Sequence, residues 1–314
     1  MNGRSAPGHA ASASSWVLRR GERAYPSCVE DLGDLAPPRL FGLGNRDLVA
    51  GIDHTEAVTI VGARRSGAYG RGVARDLGFG AAAAGLVVVS GMALGCDSAA
   101  HEGALAANGT TVAVLGGGPD MGQPPSRDPL HRRVLESGGA VIAEHPPGMP
   151  PIPDFFPKRN RIMAALASLT VVVEGALRSG TRHTTDRAAD LGREIGAVPG
   201  PVNSAFSELP NELIKDGAQL VRDAQDILDL MLGPGAVSVR GVGPELDPEL
   251  TAVLHAVEGG AATCDAVAME VGDRSAAAPV ALARLELLGY VRGDSVGRYS
   301  RTSLSLPEIL LDGR

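Results

Sequence analysis

Lysine is almost missing from this 314-residue chain, which has Lys158 and Lys215 and otherwise relies on arginine for positive charge. Aromatics are scarce too: five Phe, four Tyr and one Trp. Cys28, Cys96 and Cys264 stand far apart, without a Cys-x-x-Cys or any paired spacing. That points to neither a disulfide framework nor a metal site, and it fits a reducing cytoplasm. The longest apolar run, residues 81–89, falls far short of the ~20 residues that a membrane-spanning helix needs. No membrane segment is expected. Residues 1–22 hold Ser, Ala, Gly and Arg with no continuous apolar core of signal-peptide length, and are expected to be a disordered leader. Gly62 to Gly67 is not a G-x-G-x-x-G, and no G-x-x-x-x-G-K-[ST] occurs. Neither a dinucleotide fingerprint nor a nucleotide-hydrolysing loop is supported, and no cofactor is expected.

Against this background, the heptapeptide Phe155-Phe156-Pro157-Lys158-Arg159-Asn160-Arg161 stands out, because it concentrates two of the five Phe and one of the two Lys. The net charge is -7 and the pI about 5.5, so three cations beside two rings are a local anion site rather than part of a general basic character. Phosphates with bases to stack on are the natural ligands of that mixture. The bland alternative is an aromatic anchor at a helix entrance with solvated cations. It is weakened because cations at a helix N-terminus oppose the positive end of the dipole and need compensation.

From Val58 onward, short β-branched runs alternate with Ala- and Leu-rich stretches of helical length for about five units. This predicts an α/β fold with a mainly parallel sheet covered by helices. Strands are expected at 58–61, 86–89, 111–115, 140–143, 169–174, 194–198 and 219–221, and helices at 69–84, 98–107, 129–137, 160–167 and 184–191. A low-complexity stretch, 233–246, reads as a linker because Gly and Pro there deny both helix and ladder. It is followed by three helices (248–257, 263–271 and 276–288) and two short strands near Tyr290 and Tyr299. That order predicts a small winged helix over 247–306, with 307–314 as a tail. Its third helix carries Arg284 and Glu286 but little other charge, so protein contact, or weak backbone contact through Arg292, Arg298 and Arg301, is expected rather than duplex reading.

Small and polar residues collect after the predicted strands: Gly62 to Gly70, Ser90 to Asp97, Gly116-Gly117-Gly118, and Glu174 with Arg178-Ser179-Gly180-Thr181. One such loop alone is a tight turn that needs glycine; four at one sheet edge point to a ligand site beyond the carboxyl ends of the strands. Asp97 reads as a helix N-cap, with His101 one turn inside, so this pair is structural rather than acid and base.

Gly62-Ala63-Arg64 with Ser66 and Tyr69-Gly70, Ser90-Gly91-x-Ala93-x-Gly95-x-Asp97, Phe156-Pro157-x-Arg159-Asn160-Arg161-Ile162, Arg178-Ser179-Gly180 and Gly192-Arg193 leading to Pro199-Gly200 resemble the DNA-processing protein A (DprA/Smf) family. Tyr25-Pro26, Pro37-Pro38-x-Leu40 and Asn211-x-Leu213-Ile214 extend the likeness over about residues 23–230. The resemblance implies an extended Rossmann-like core over 23–232 that binds single-stranded DNA. It also implies a homodimer that loads the RecA recombinase in natural transformation, without catalytic turnover. On this reading Arg64, Lys158, Arg159 and Arg161 hold phosphates and Phe156 stacks on a base. Gly62, Ser66, Ser90, Gly91, Asn160, Ser179 and Gly180 complete the pocket. The chain departs from the family at Arg182-His183, where a small apolar stretch is usual, and at Gln123-Pro124-Pro125, in place of a Tyr-Pro element. The small N-terminal helical domain of many relatives is not expected here. Two other functions stay open. One is a nucleotide N-glycosidase with Glu174 as general base, for which the usual phosphate loop is incomplete. The other is a winged-helix regulator with a nucleotide-sensing domain.

Overall fold

A computed structural model describes residues 15–121, 128–236, 244, 246–272, 277–294 and 296–302. The chain divides into two compact units, 1–237 and 238–314.

The first unit is built on a nine-stranded sheet. Its strands are β1 Trp16–Arg19, β2 Arg39–Gly44, β3 Ala57–Val61, β4 Val87–Ser90, β5 Thr111–Leu115, β6 Ala140–Ala143, β7 Leu169–Val172, β8 Glu194–Ala197 and β9 Gln219–Leu220. They lie in the order β1-β2-β6-β5-β4-β3-β7-β8-β9. From β6 to β9 all neighbours are parallel, and β1 and β2 add antiparallel at one edge. β3 to β7 are buried on both faces, which is why they read as unbroken apolar runs rather than alternating ones. The chain adds β4, β5 and β6 on one side of β3 and then returns to place β7 on the other. Strand order therefore reverses between β3 and β7, opening a crevice at their carboxyl ends.

The connecting helices are α1 Ser27–Glu30, α2 Arg46–Ala50, α3 Ala68–Ala83, α4 Cys96–Ala106, α5 Asp128–Glu136, α6 Phe155–Ala165, α7 Gly180–Asp190, α8 Glu208–Lys215 and α9 Ala224–Leu232. Right-handed crossovers put α3, α4 and α5 on one face and α6 and α7 on the other, where residues of α1 and α2 share a core with α6. α3 and α4 approach so closely that a Cβ on Gly103 would lie 2.8 Å from the Phe79 nitrogen.

Three expectations need correction here. Trp16–Arg19, assigned to a disordered leader, is strand: Leu18 is fully buried and the Trp16 indole donates to Gly44 O at 2.9 Å. α6 begins at Phe155 rather than Asn160, and α7 at Gly180 rather than Thr184. Pro157 fits inside the first turn because the N–H it lacks has no partner there anyway. Gln123-Pro124-Pro125, the tail 307–314 and most of 233–246 lie outside the described residues.

The second unit has α10 Pro248–Glu258, α11 Cys264–Val271, α12 Ala278–Leu287 and an antiparallel pair, β10 Val291–Gly293 with β11 Tyr299–Arg301. Asp247 caps α10 by accepting from Leu250 N at 2.8 Å, and Thr263 caps α11 through Ala266 N. Leu250, Leu254, Leu282, Leu285 and Tyr290 form its own core. Both ionic groups of α12 are engaged internally: Arg284 with Asp247 at 3.2 Å, and Glu286 accepting from Gly293 N at 2.9 Å.

Candidate functional site

A cleft of about 610 Å³ opens at the reversal point. The β3–α3 loop supplies Gly62, Ala63, Arg64 and Arg65; α4 supplies Asp97; α6 supplies Phe156, Arg159 and Asn160; the start of α7 supplies Ser179, Gly180 and Thr181; Phe206 completes the rim. Arg64 and Arg65 are exposed, and the Arg64 guanidinium lies over the Phe156 ring at 4.8 Å. The hydroxyl of Ser179, the residue preceding α7, is buried with no hydrogen-bond partner among the described residues. No acidic residue occupies the first turn of α7. A helix start without an acidic residue, beside a buried hydroxyl that has no partner among the described residues, favours an anion at this end of the cleft.

The floor is an ion pair. Arg159 and Asp97 are buried, with Nη2 3.8 Å from Oδ2. Arg159 Nη1 donates to Gly91 O at 2.7 Å and to Val114 O, and Nε donates to Asn160 Oδ1 at 3.0 Å. Burial draws the Arg159 pKa down to about 10, with Asp97 opposing the shift, so the group stays charged at neutral pH. Burial likewise raises the Asp97 carboxyl, against the pull of Arg159. Gly91 has no side chain because the Arg159 guanidinium fills the space a Cβ would need. Gly62 is held to glycine by Cys96, whose sulfur would lie 2.7 Å from a Cβ, and its N–H reaches Asp97 Oδ1 at 3.4 Å. Asn160 donates to Gly180 O at 3.0 Å, tying α6 to the start of α7.

Other candidates lie outside the cleft lining. Arg161 grips Glu144 with both terminal nitrogens, at 3.1 and 2.7 Å, and donates through Nε to Leu35 O. Lys158 is exposed and makes no ion pair among the described residues. Ser90 is buried, its hydroxyl donating to Ile60 O at 2.6 Å, so it ties β4 to β3. Ser66 is buried beside Gly95. Glu174 is also buried, its carboxyl packed against Gly70 beneath the first turn of α3, with burial raising its pKa.

Asp97 is not the N-cap of α4. That position is Gly95, at φ 85°, and Asp97 lies inside the first turn, facing Arg159. His101 is structural as expected. Thr111 gives its one hydroxyl proton to Val88 O at 2.6 Å, so it accepts from His101 Nδ1 at 2.7 Å, leaving Nε2 unprotonated and without a partner. Burial and the nearby Arg159 push the His101 pKa down to about 3.

The sequence reading placed Arg65 only within the loop after β3 and missed Thr184 and Phe206 in the lining. Phe206 had one signal: a rare aromatic in a polar loop.

Residues 16–232 match the family model described as DNA recombination-mediator protein A. The chain is 42% identical over 239 residues to a DNA processing protein DprA of Mycobacterium tuberculosis, covering 74% of this chain and 61% of that relative, so it spans about three fifths of the relative's length. It is 37% identical over 204 residues to the DNA processing protein DprA of Streptococcus pneumoniae, covering 65% of this chain and 70% of the relative. The X-ray structure of the Streptococcus pneumoniae protein superposes with a TM-score of 0.62 at 36% identity, covering 68% of this chain and 72% of that one. A structure of DNA processing protein A from Helicobacter pylori, described for its single-stranded DNA binding mode, superposes with a TM-score of 0.60 at 27% identity, covering 69% and 95%.

Proposed function

Because the chain belongs to the DNA recombination-mediator protein A (DprA/Smf) family, we propose that it binds single-stranded DNA in the β3–β7 cleft and serves as a non-catalytic recombination mediator. The observation that carries this reading is the Arg64 guanidinium held over the Phe156 ring at the cleft mouth. A phosphate-seeking cation and a stacking surface within one pair suit an unpaired strand, whose bases are free to stack, better than a duplex. Arg65, Phe206 and the start of α7 extend the same chemistry along the lining, and Lys158 is available to phosphates outside it.

On this reading the protein works in the cytoplasm as a homodimer and delivers bound strands to RecA during natural transformation. The second unit is a winged helix, a reading supported by its order of three helices and a hairpin. With the charges of α12 engaged internally, its role is protein contact rather than duplex reading. The glycosidase alternative loses support because Glu174 lies beneath α3 and not in the cleft lining.

The test is a titration of single- and double-stranded oligonucleotides at two salt concentrations. Preference for the single strand, with affinity falling as salt rises, supports the reading. Equal affinity for both forms, or preference for the duplex, overturns it.

A further inference from the structure

The family resemblance makes Arg159 a phosphate ligand, but its surroundings give it a different task. Its guanidinium is spent on the protein: Nη1 on two carbonyls just at the ends of β4 and β5, Nε on Asn160, and Nη2 facing Asp97. To reach a phosphate it would have to abandon Gly91 O and Val114 O and leave buried carbonyls unsatisfied, a loss one exposed phosphate contact does not repay. Arg64, Arg65 and Lys158 are exposed and carry no such obligations.

We propose that Arg159 is the positioning residue of the cleft, setting the geometry of the DNA-contacting groups without touching DNA. This rests on the single-strand reading above. Arg159 lies one turn after Phe156 on α6, so holding it against β4, β5 and α4 fixes where the Phe156 ring stands and hence where Arg64 stacks. Through Asn160, whose amide donates to Gly180 O, the same anchor sets the start of α7 and the Ser179 hydroxyl. A planar fork of five donors can serve four partners on separate elements at once. A lysine ammonium cannot. Gly91 belongs to the device, since only a residue without Cβ lets the guanidinium lie across the end of β4.

Gly91→Ala is the sharpest probe, because it drives the guanidinium from its seat without changing any charge. Arg159→Lys is its complement, keeping the charge and losing the fork. Both are compared with the parent and with Arg64→Ala, after circular dichroism and thermal melts show them folded at the assay temperature. The expected result is single-strand affinity roughly tenfold weaker in both variants, with the dependence of log K on log[salt] unchanged from the parent. Arg64→Ala should flatten that dependence. Hydrogen exchange without DNA should quicken at residues 179–184 in Gly91→Ala, a readout that a general loss of stability would spread over the whole sheet.

Near-parental affinity in both variants overturns the proposal. So does a salt dependence flattened in Arg159→Lys as it is in Arg64→Ala, which would make Arg159 a phosphate contact. If the parent itself fails to bind single strands, the single-strand reading fails, and the exchange at residues 179–184 still decides whether Arg159 positions α7. Unchanged exchange there rejects the positioning role.

Discussion

The Arg64 guanidinium carbon stands 4.8 Å from the centroid of the Phe156 ring, joining the loop after β3 to the first turn of α6. Such a contact contributes about 0.5–1 kcal/mol where solvent reaches it, enough to bias the side chain toward the cleft while leaving its N–H edges free.

Removing the charge of that pair should be visible as a counterion effect. Arg64→Ala is expected to weaken single-strand binding and to reduce the slope of log K against log[salt] by about 0.7, the value for one phosphate on a single strand. A slope equal to the parent's would remove Arg64 from the phosphate contacts.

Removing the ring should do something different. Phe156→Ala is expected to cost about 1–3 kcal/mol of binding, as for one stacked base, while leaving the salt slope where it was. A titration series at several salt concentrations separates the two variants.

Arg161 should behave as a structural residue although it sits beside the other cations. Its two bonds to Glu144 and one to Leu35 O tie α6 to the end of β6 and to the segment before β2. Arg161→Ala is expected to lower stability by about 2–3 kcal/mol, since it strands a largely enclosed carboxylate. Chemical denaturation reads the loss. The salt slope of DNA binding in the folded variant should match the parent's.

Acid should weaken the fold through His101. Its folded pKa is depressed to about 3, against about 6.5 in an unfolded chain. The unfolded state therefore binds a proton that the folded state refuses, and this contribution is complete above about pH 6.5 and is lost progressively as pH falls toward 3. Between pH 6.5 and 5 it amounts to about 2 kcal/mol. Asp97 and Glu174, whose pKa values are raised, push the other way, so the comparison is made against His101→Asn, which keeps them and removes the imidazole. Thermal melts at pH 7.5 and 5 should show the parent losing more than the variant; equal losses would contradict the assignment.

The parallel strands were legible because a strand buried on both faces must be apolar throughout. β5 and β6 fall where the β-branched runs place them. β1 and β2 were not legible. β2 carries two glycines in six residues, and its strand form depends on pairing with β6, almost a hundred positions further along the chain. The loops at the carboxyl edge were readable as a group, since four glycine-spaced turns at one edge need a common cause.

Within Phe155 to Arg161, composition alone shows that rings and cations occur together, and it cannot say what each one does. Successive residues on a helix point about 100° apart. Lys158 therefore faces solvent, Arg159 is buried under the cleft and Arg161 turns to Glu144. The sequence by itself determined the parallel α/β order and the family, and it pointed to the loops that line the candidate cleft, because these follow from local pattern and spacing. Tertiary structure alone decided which cations can meet a ligand, because a charge is free or spent according to partners, Asp97, Gly91, Val114 and Glu144, that the fold brings from distant segments.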